Sequence, residues 1–373
     1  MTVGPLKQPN LFFIYTKMVY LYLLLFLVLS SCKESPKGIV LEEVSLTGEI
    51  LFNDEDLGVS VPSDLCLVDT LLVTSNVSDG DTLVDVWGMQ SRKRLNSFVS
   101  KGSGPSEFRR IDSFKANDAD KCIYFYDRDR KKLHKVGYSE LLADKPEIDE
   151  VFHWDFGDNS PFDLSDSYRL GDVVVGMNLS DTARFLMCDA DGKLTTFDKV
   201  PEKKHVNPNL TDDSNARLYS HYSAIAPDNK KIAVFDHVSD LMTFVELGGT
   251  EPVVRSWINE YPDGVYLMPI SDGRMQAFLT PDTKRHYLSG VSATNDYVYA
   301  LYSGEKVAFN PNENAGYLCT NVVRVFNWKG QECYRLSLDK KVFALFVTPD
   351  NKTLLALTDK EGYAVIRYEM DLD

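Results

Sequence analysis

Six histidines, His134, His153, His205, His221, His237 and His286, are the side chains of this sequence best suited to acid–base or metal chemistry. No two stand in an H-x-x-x-H or H-E-x-x-H pair, so a metal would need ligands gathered from distant segments. Asp189-Ala-Asp191-Gly192 begins like a calcium loop but lacks the later ligands and the closing Glu, and a hairpin turn accounts for it. Asp127, Asp129 and Asp236 close apolar runs, where turn caps are expected rather than charged axial ligands. No nucleophile elbow or phosphate loop occurs. On these grounds no catalytic residue, metal or cofactor is assigned.

Lys101-Gly-Ser-Gly-Pro-Ser-Glu-Phe108 is the most distinctive local string. Its Gly-x-Gly invites a dinucleotide reading, but Arg109-Arg110-Ile111 and a strand follow it, with no helix N-terminus to meet a phosphate. A turn between two sheets is the expectation, with Pro105 fixing φ and Phe108 plugging the core.

Of the six cysteines, Cys32 belongs to a leader. Cys66, Cys122, Cys188, Cys319 and Cys333 are odd in number, widely spread and free of any C-x-x-C pair, so neither a disulfide scaffold nor a zinc cluster is indicated. One disulfide is open to the chain, and Cys319 with Cys333 is the best choice on proximity alone.

The leader is read from Lys17, an almost uncharged run from Met18 to Leu29, and then Leu29-Ser30-Ser31-Cys32. The run is too short to span a bilayer comfortably, and small residues precede the thiol. This spacing resembles a bacterial lipoprotein signal, which places residues 1–31 in a cleaved signal peptide and makes Cys32 the lipidated N-terminus. Translation from Met1 or from Met18 is open, the latter leaving a weak n-region. Residues 32–43 then form a tether, leaving 44–373 as a single domain. Loss of Lys7 and Lys17 with the leader takes the formal charge from −15 to −17. So acidic a body repels phosphate backbones, which argues against nucleic-acid binding, and its membrane attachment would come from the lipid.

The elements that must position any site follow from a repeat. Short, continuously apolar runs recur at Leu71–Thr74, Cys122–Tyr126, Asp172–Gly176, Lys231–Phe235, Tyr297–Tyr302 and Thr353–Leu357, as expected for strands covered on both faces. Each is followed by a third strand, the series running from Leu83–Trp87 to Ala364–Tyr368, and five have a fourth, from Arg94–Val99 to Cys333–Leu338. Asp189–Gly192, Asn327–Gly330 and Gly248-Gly249 supply hairpin chemistry between them. The last unit lacks a fourth strand, and the orphan strand Val44–Phe52 lacks a partner. Pairing the two closes a ring: an all-β, six-bladed β-propeller of four-stranded blades.

Trp87, Trp154, Trp257 and Trp328 fall in or after third and fourth strands and are read as packing. Three long connections break the rhythm: Pro201–Tyr219, Asn259–Tyr287 and Gly304–Tyr317. Ligand contacts are expected there, with His205, Arg217, Tyr219, Tyr261, Tyr266, Arg274 and His286 as candidates around the fourth and fifth blades.

Gly102, Gly104, Pro105, Glu107 and Phe108 after the first blade, the lipoprotein signal, and Asn327-Trp-Lys-Gly330 in the fifth together resemble the six-bladed propeller lipoproteins of the TolB-like group, abundant in Bacteroidetes. The likeness covers about residues 44–370; Ser103 stands where Lys is common. It implies the fold and a cell-envelope location, on an outer membrane facing periplasm or cell surface, and carries no catalytic residue across. Glu34 is the one acid directly after Cys32, so no surface-export tag is evident. Two functions are open. The favoured one is a lipid-anchored module whose loops bind a peptide, glycan or partner protein. The alternative is a propeller hydrolase or lyase acting at the central channel on a glycan, peptide or small ester.

Overall fold

A computed structural model describes residues 41–372, apart from residue 59 and the stretches 78–79, 158–159, 181–182, 249–250, 271–272 and 307–317. The expected signal peptide, Cys32, most of the expected tether and most of the connection Gly304–Tyr317 lie outside the described residues.

The described residues open with β1 (Glu42–Leu46) and β2 (Glu49–Phe52). Blade one is β3 (Pro62–Val68), β4 (Leu71–Asn76), β5 (Thr82–Gly88) and β6 (Lys93–Ser100). Blade two is β7 (Asp112–Asn117), β8 (Cys122–Asp127), β9 (Lys132–Gly137) and β10 (Ile148–His153). Blade three is β11 (Leu164–Leu170), β12 (Val173–Asn178), β13 (Phe185–Cys188) and β14 (Leu194–Phe197). Blade four is β15 (His221–Ile225), β16 (Lys231–Asp236), β17 (Leu241–Glu246) and β18 (Val253–Ile258). A separate hairpin, β19 (Tyr266–Pro269) and β20 (Met275–Phe278), precedes blade five, which is β21 (Lys284–Ala293), β22 (Tyr297–Lys306), β23 (Thr320–Asn327) and β24 (Glu332–Val342). Blade six is β25 (Ala344–Val347), β26 (Thr353–Thr358) and β27 (Ala364–Glu369), completed by β2. The fold is the six-bladed propeller that the repeat predicts.

Second strands such as β8 and β16 are buried almost throughout because both faces of each sheet pack on neighbouring blades. The turns after the first strands place Asp69, Lys121, Asn229 and Asn351 in the left-handed region, where short polar side chains are tolerated best. Asp189 Oδ1 accepts from the backbone of Asp191 and Lys193, so the calcium-like string is a hairpin turn.

Ring closure differs from the expectation in one respect. The predicted strand 44–52 is two strands on two blades, and the first begins at Glu42, inside the expected tether. β1 runs parallel to β24 as a fifth strand of blade five, from Glu42 opposite Tyr334 to Leu46 opposite Leu338. β2 pairs antiparallel with β27, with Glu49 opposite Arg367 and an ion pair between them at 2.7 Å. Gly48 makes the crossing possible. A Cβ there would lie 2.7 Å from the Tyr368 ring and closer still to the Ile366 methyl, while its N–H donates to Asp339 Oδ1 at 3.1 Å. Asn53 then caps the short helix Asp54–Leu57, and Phe52 packs edge-on against Trp87 at 5.9 Å.

The string Lys101–Phe108 joins blades one and two. Gly104 N donates to Glu107 Oε2 at 2.7 Å, and a Cβ on Gly102 would overlap that same carboxylate. Arg130 reaches over from blade two to the carbonyls of Gly104 (2.6 Å) and Glu107. Phe108 is buried against Phe125 and His134. The motif is a folded clasp.

The suggested disulfide is not formed. Cys319 and Cys333 are not bonded to each other: Cys319 Sγ donates to Asp359 Oδ1 at 3.2 Å and Cys333 Sγ to Gln331 O at 3.4 Å. They sit just before β23 and at the start of β24. These strands are antiparallel, so the two cysteines face opposite ends of the hairpin, and nearness in sequence misleads.

Candidate functional site

The six first strands of the blades converge on a cavity of about 80 Å3 at the ring axis. Leu65, Phe114, Tyr168, Ala224, Val291 and Leu345 each represent one blade in its wall. The lining is mainly apolar, with polar groups gathered toward the turns that follow the first strands. A mostly apolar hollow with a few fixed polar groups is the common form of a ligand site.

Those polar groups are satisfied by partners in the wall and just behind it. Lys115 Nζ meets Asp64 Oδ2 of the neighbouring blade at 3.3 Å. Tyr168 OH and Ser223 Oγ share a hydrogen bond of 2.8 Å between blades three and four. Asn117 Nδ2 donates to Asp120 Oδ2 at 3.2 Å and to Asn229 Oδ1 at 3.0 Å. Cys66 lines the wall, but burial pushes its thiol well above the ordinary range, so it packs as a small apolar group rather than a nucleophile. Among the described residues no three His, Cys, Asp or Glu side chains lie close enough to hold a metal ion.

None of the seven loop candidates lines this cavity. His205 and Tyr261 are brought together, their rings stacked at 4.1 Å and 5° with Tyr261 OH 3.5 Å from His205 Nε2. Arg217 pairs with Asp213 at 3.0 Å and approaches Asp163 at 3.6 Å. Tyr219 is buried beside Leu210, Leu218 and Leu241. His286 is buried too, its Nε2 3.9 Å from Glu260 Oε2, and desolvation pushes it down. Tyr266 is exposed on β19, opposite Phe278, and Arg274 is exposed just before β20.

The described residues of the connections Pro201–Tyr219 and Asn259–Tyr287 are therefore structured. Thr211 N donates to Met275 O at 2.9 Å and Met275 N to Asn209 O at 2.8 Å, which ties the segment before blade four to the hairpin after it. Leu267 and Ala277 turn inward onto the small core around Leu210, leaving Tyr266, Met268 and Phe278 outward.

Two buried arginines clamp the same sector. Arg184 donates to Asp236 Oδ1 at 2.7 Å and to Thr243 Oγ1 at 2.8 Å, joining blade three to blade four. Burial pushes the Asp236 carboxyl up against the pull of Arg184. Asp236 also accepts from Ser239 Oγ at 3.2 Å, so it is an inter-blade counter-ion as well as a turn residue. Arg324 bonds Glu332 at 2.7 Å and Tyr287 OH at 2.7 Å and reaches Asp240 at 3.4 Å, joining blade five to blade four.

Sequence reasoning missed the axial wall because its residues lie in the first strands, whose apolar runs are short. The available signal was the triplet before each turn: Leu65-Cys-Leu67, Phe114-Lys-Ala116, Ala224-Ile-Ala226 and Leu345-Phe-Val347.

A family model described as TolB-like 6-blade propeller-like matches residues 39–350. The chain belongs to that family. Among solved structures it is similar to a DUF4221-family member from Bacteroides vulgatus, with a TM-score of 0.53 at 10% identity, over 90% of this chain and 100% of that one. It is also similar to a candidate exported protein of Bacteroides fragilis, with a TM-score of 0.52 at 11% identity, over 90% of this chain and 100% of that one. At such identities these neighbours share the fold with this chain. No curated protein matches the sequence.

Proposed function

We propose that this TolB-like propeller is an exported, lipid-anchored binding module of the cell envelope, and that its axial cavity receives one side-chain-sized apolar group of a peptide or small molecule. The cavity carries the reading. A cavity must offer at least about 10–15 Å3 to hold one water. A hollow of about 80 Å3 therefore suits a ring or branched side chain, and not a polymer threading the axis. The satisfied polar groups around it suit selection and orientation of a ligand, since none is poised as a nucleophile–base pair.

Export and anchoring rest on the leader and on Ser30-Ser31-Cys32, and the exported name of the Bacteroides fragilis neighbour is in keeping with them. The acidic body leaves attachment to the lipid. Cys32→Ser should release the protein from the membrane fraction; retention without that thiol removes the anchor from the proposal.

Binding is tested by NMR titration of the purified protein with p-cresol and N-acetyl-phenylalanine amide. Saturable shifts should centre on Ala116, Ala224 and Val291, and Ala116→Leu should abolish them by filling the space. Shifts scattered over the surface, or unchanged by Ala116→Leu, would sink the cavity as the site.

A further inference from the structure

We infer that Arg285, Tyr222 and His237 form a second site, for a carboxylate that carries a hydroxyl or N–H donor beside it. Arg285 and Tyr222 sit in the opening halves of β21 and β15, the innermost strands of adjacent blades, away from the turns that face the axial cavity. Arg285 is half-buried and its Nη1 is enclosed without a hydrogen-bond partner. No ion pair joins it to any described carboxylate. Glu305 stands opposite in the β21–β22 register but is exposed and does not reach it.

This contrasts with the other arginines of the sector. Arg184 and Arg324 are each matched by acids, in a chain with 55 acidic and 40 basic residues. An enclosed cation without a counter-ion is costly, and a bound anion would relieve that cost. Desolvation pushes the guanidinium down, and Tyr222 is the one neighbouring group that opposes this.

His237 supplies the second half of the site. Its ring bonds the Tyr287 carbonyl through Nδ1 at 2.8 Å. A carbonyl only accepts, so Nδ1 carries the proton and Nε2 of the neutral ring is an acceptor. Burial pushes His237 down, with the Arg285 charge acting in the same direction, so the ring stays neutral near pH 7. Tyr222 packs edge-on against it at 5.7 Å and orients it. A planar anion for the guanidinium fork and a donor for Nε2 together describe an α-hydroxy or acylamino acid, or a sugar acid. Phosphate is less suited: it needs more than one cation, and the site offers no helix N-terminus.

The probes are lactate, acetate and inorganic phosphate, titrated into the full chain by calorimetry. Lactate should bind saturably and more tightly than acetate, and Arg285→Gln should weaken it roughly ten- to a hundredfold, the range for a charge-assisted bond. His237→Phe should weaken lactate and leave acetate unchanged. Because Arg285→Gln removes an unpaired charge, it should not lower the melting temperature, and lactate should raise the Tm of the wild type but not of this variant. Arg285→Lys should retain part of the binding. No saturable lactate binding, equal binding by Arg285→Gln, or phosphate outcompeting lactate overturns the site. Because this site shares no residue with the axial cavity, its failure would leave the p-cresol result unaffected.

Discussion

Asn117 Nδ2 donates to Asn229 Oδ1 at 3.0 Å, linking the second blade to the fourth past the first strand of the third. Both residues belong to the cavity lining, so this bond lies across its mouth. Asn229 has φ 57°, a conformation glycine adopts without strain. Asn229→Gly should therefore cost no more than about 1 kcal/mol in stability while widening the entrance. The expected result is faster exchange of p-cresol in NMR line shapes at nearly unchanged Tm; slower exchange would mean that the amide pair does not gate the cavity.

Asp112 gives a pH dependence. Burial pushes its carboxyl up to about 6, despite Arg110 at 3.2 Å. Between the unfolded value near 4 and about 6, the folded chain holds a proton that the unfolded chain has released. This group's contribution is therefore unchanged below about 4, turns destabilising as pH rises to about 6, and is constant above that. Asp112→Asn should remove that slope and raise stability at pH 7.5 by an amount that one pKa unit, about 1.4 kcal/mol, sets in order of magnitude. Urea midpoints of both proteins at pH 4.5 and 7.5 check it.

Gly48→Ala places a methyl against Ile366 and Tyr368 at the seam. Overpacking of this kind costs about 1–3 kcal/mol, and the denaturation midpoint should fall accordingly. An unchanged midpoint would show that the N-terminal segment contributes little to closure.

Arg184 and Asp236 should be coupled. Arg184→Leu strands a buried carboxylate and should cost about 3–5 kcal/mol, whereas Arg184→Leu combined with Asp236→Leu should recover much of it. A double-mutant cycle by urea denaturation measures the coupling; additive losses would mean that the two act independently.

The blades were legible in the sequence because their second and third strands are buried on both faces and read as unbroken apolar runs, as at Cys122–Tyr126 and Lys231–Phe235. The axial wall was not, because a first strand has only a few apolar residues before its turn. The split of residues 44–52 into two strands was hidden for another reason. Alternation continues through Gly48, and only the surroundings of that residue show that the chain changes blades there. Arg285 and His237 were obscured because the sequence does not show which acids a given arginine will lack. The loop candidates were chosen for their side-chain type, and of these the fold pairs His205 with Tyr261 while burying Tyr219 and His286.

The two-blade attachment of the N-terminal segment has a mechanical consequence. Any pull entering through Leu41 meets the five-residue β1 first, and β1 grips a different sheet from β2. If β1 peels from β24, the slack released is short and β2 still shuts the ring against β27. The segment behaves as a latch with a sacrificial outer catch, so a protein tugged at its N-terminus can yield there and recover without its seam ever opening.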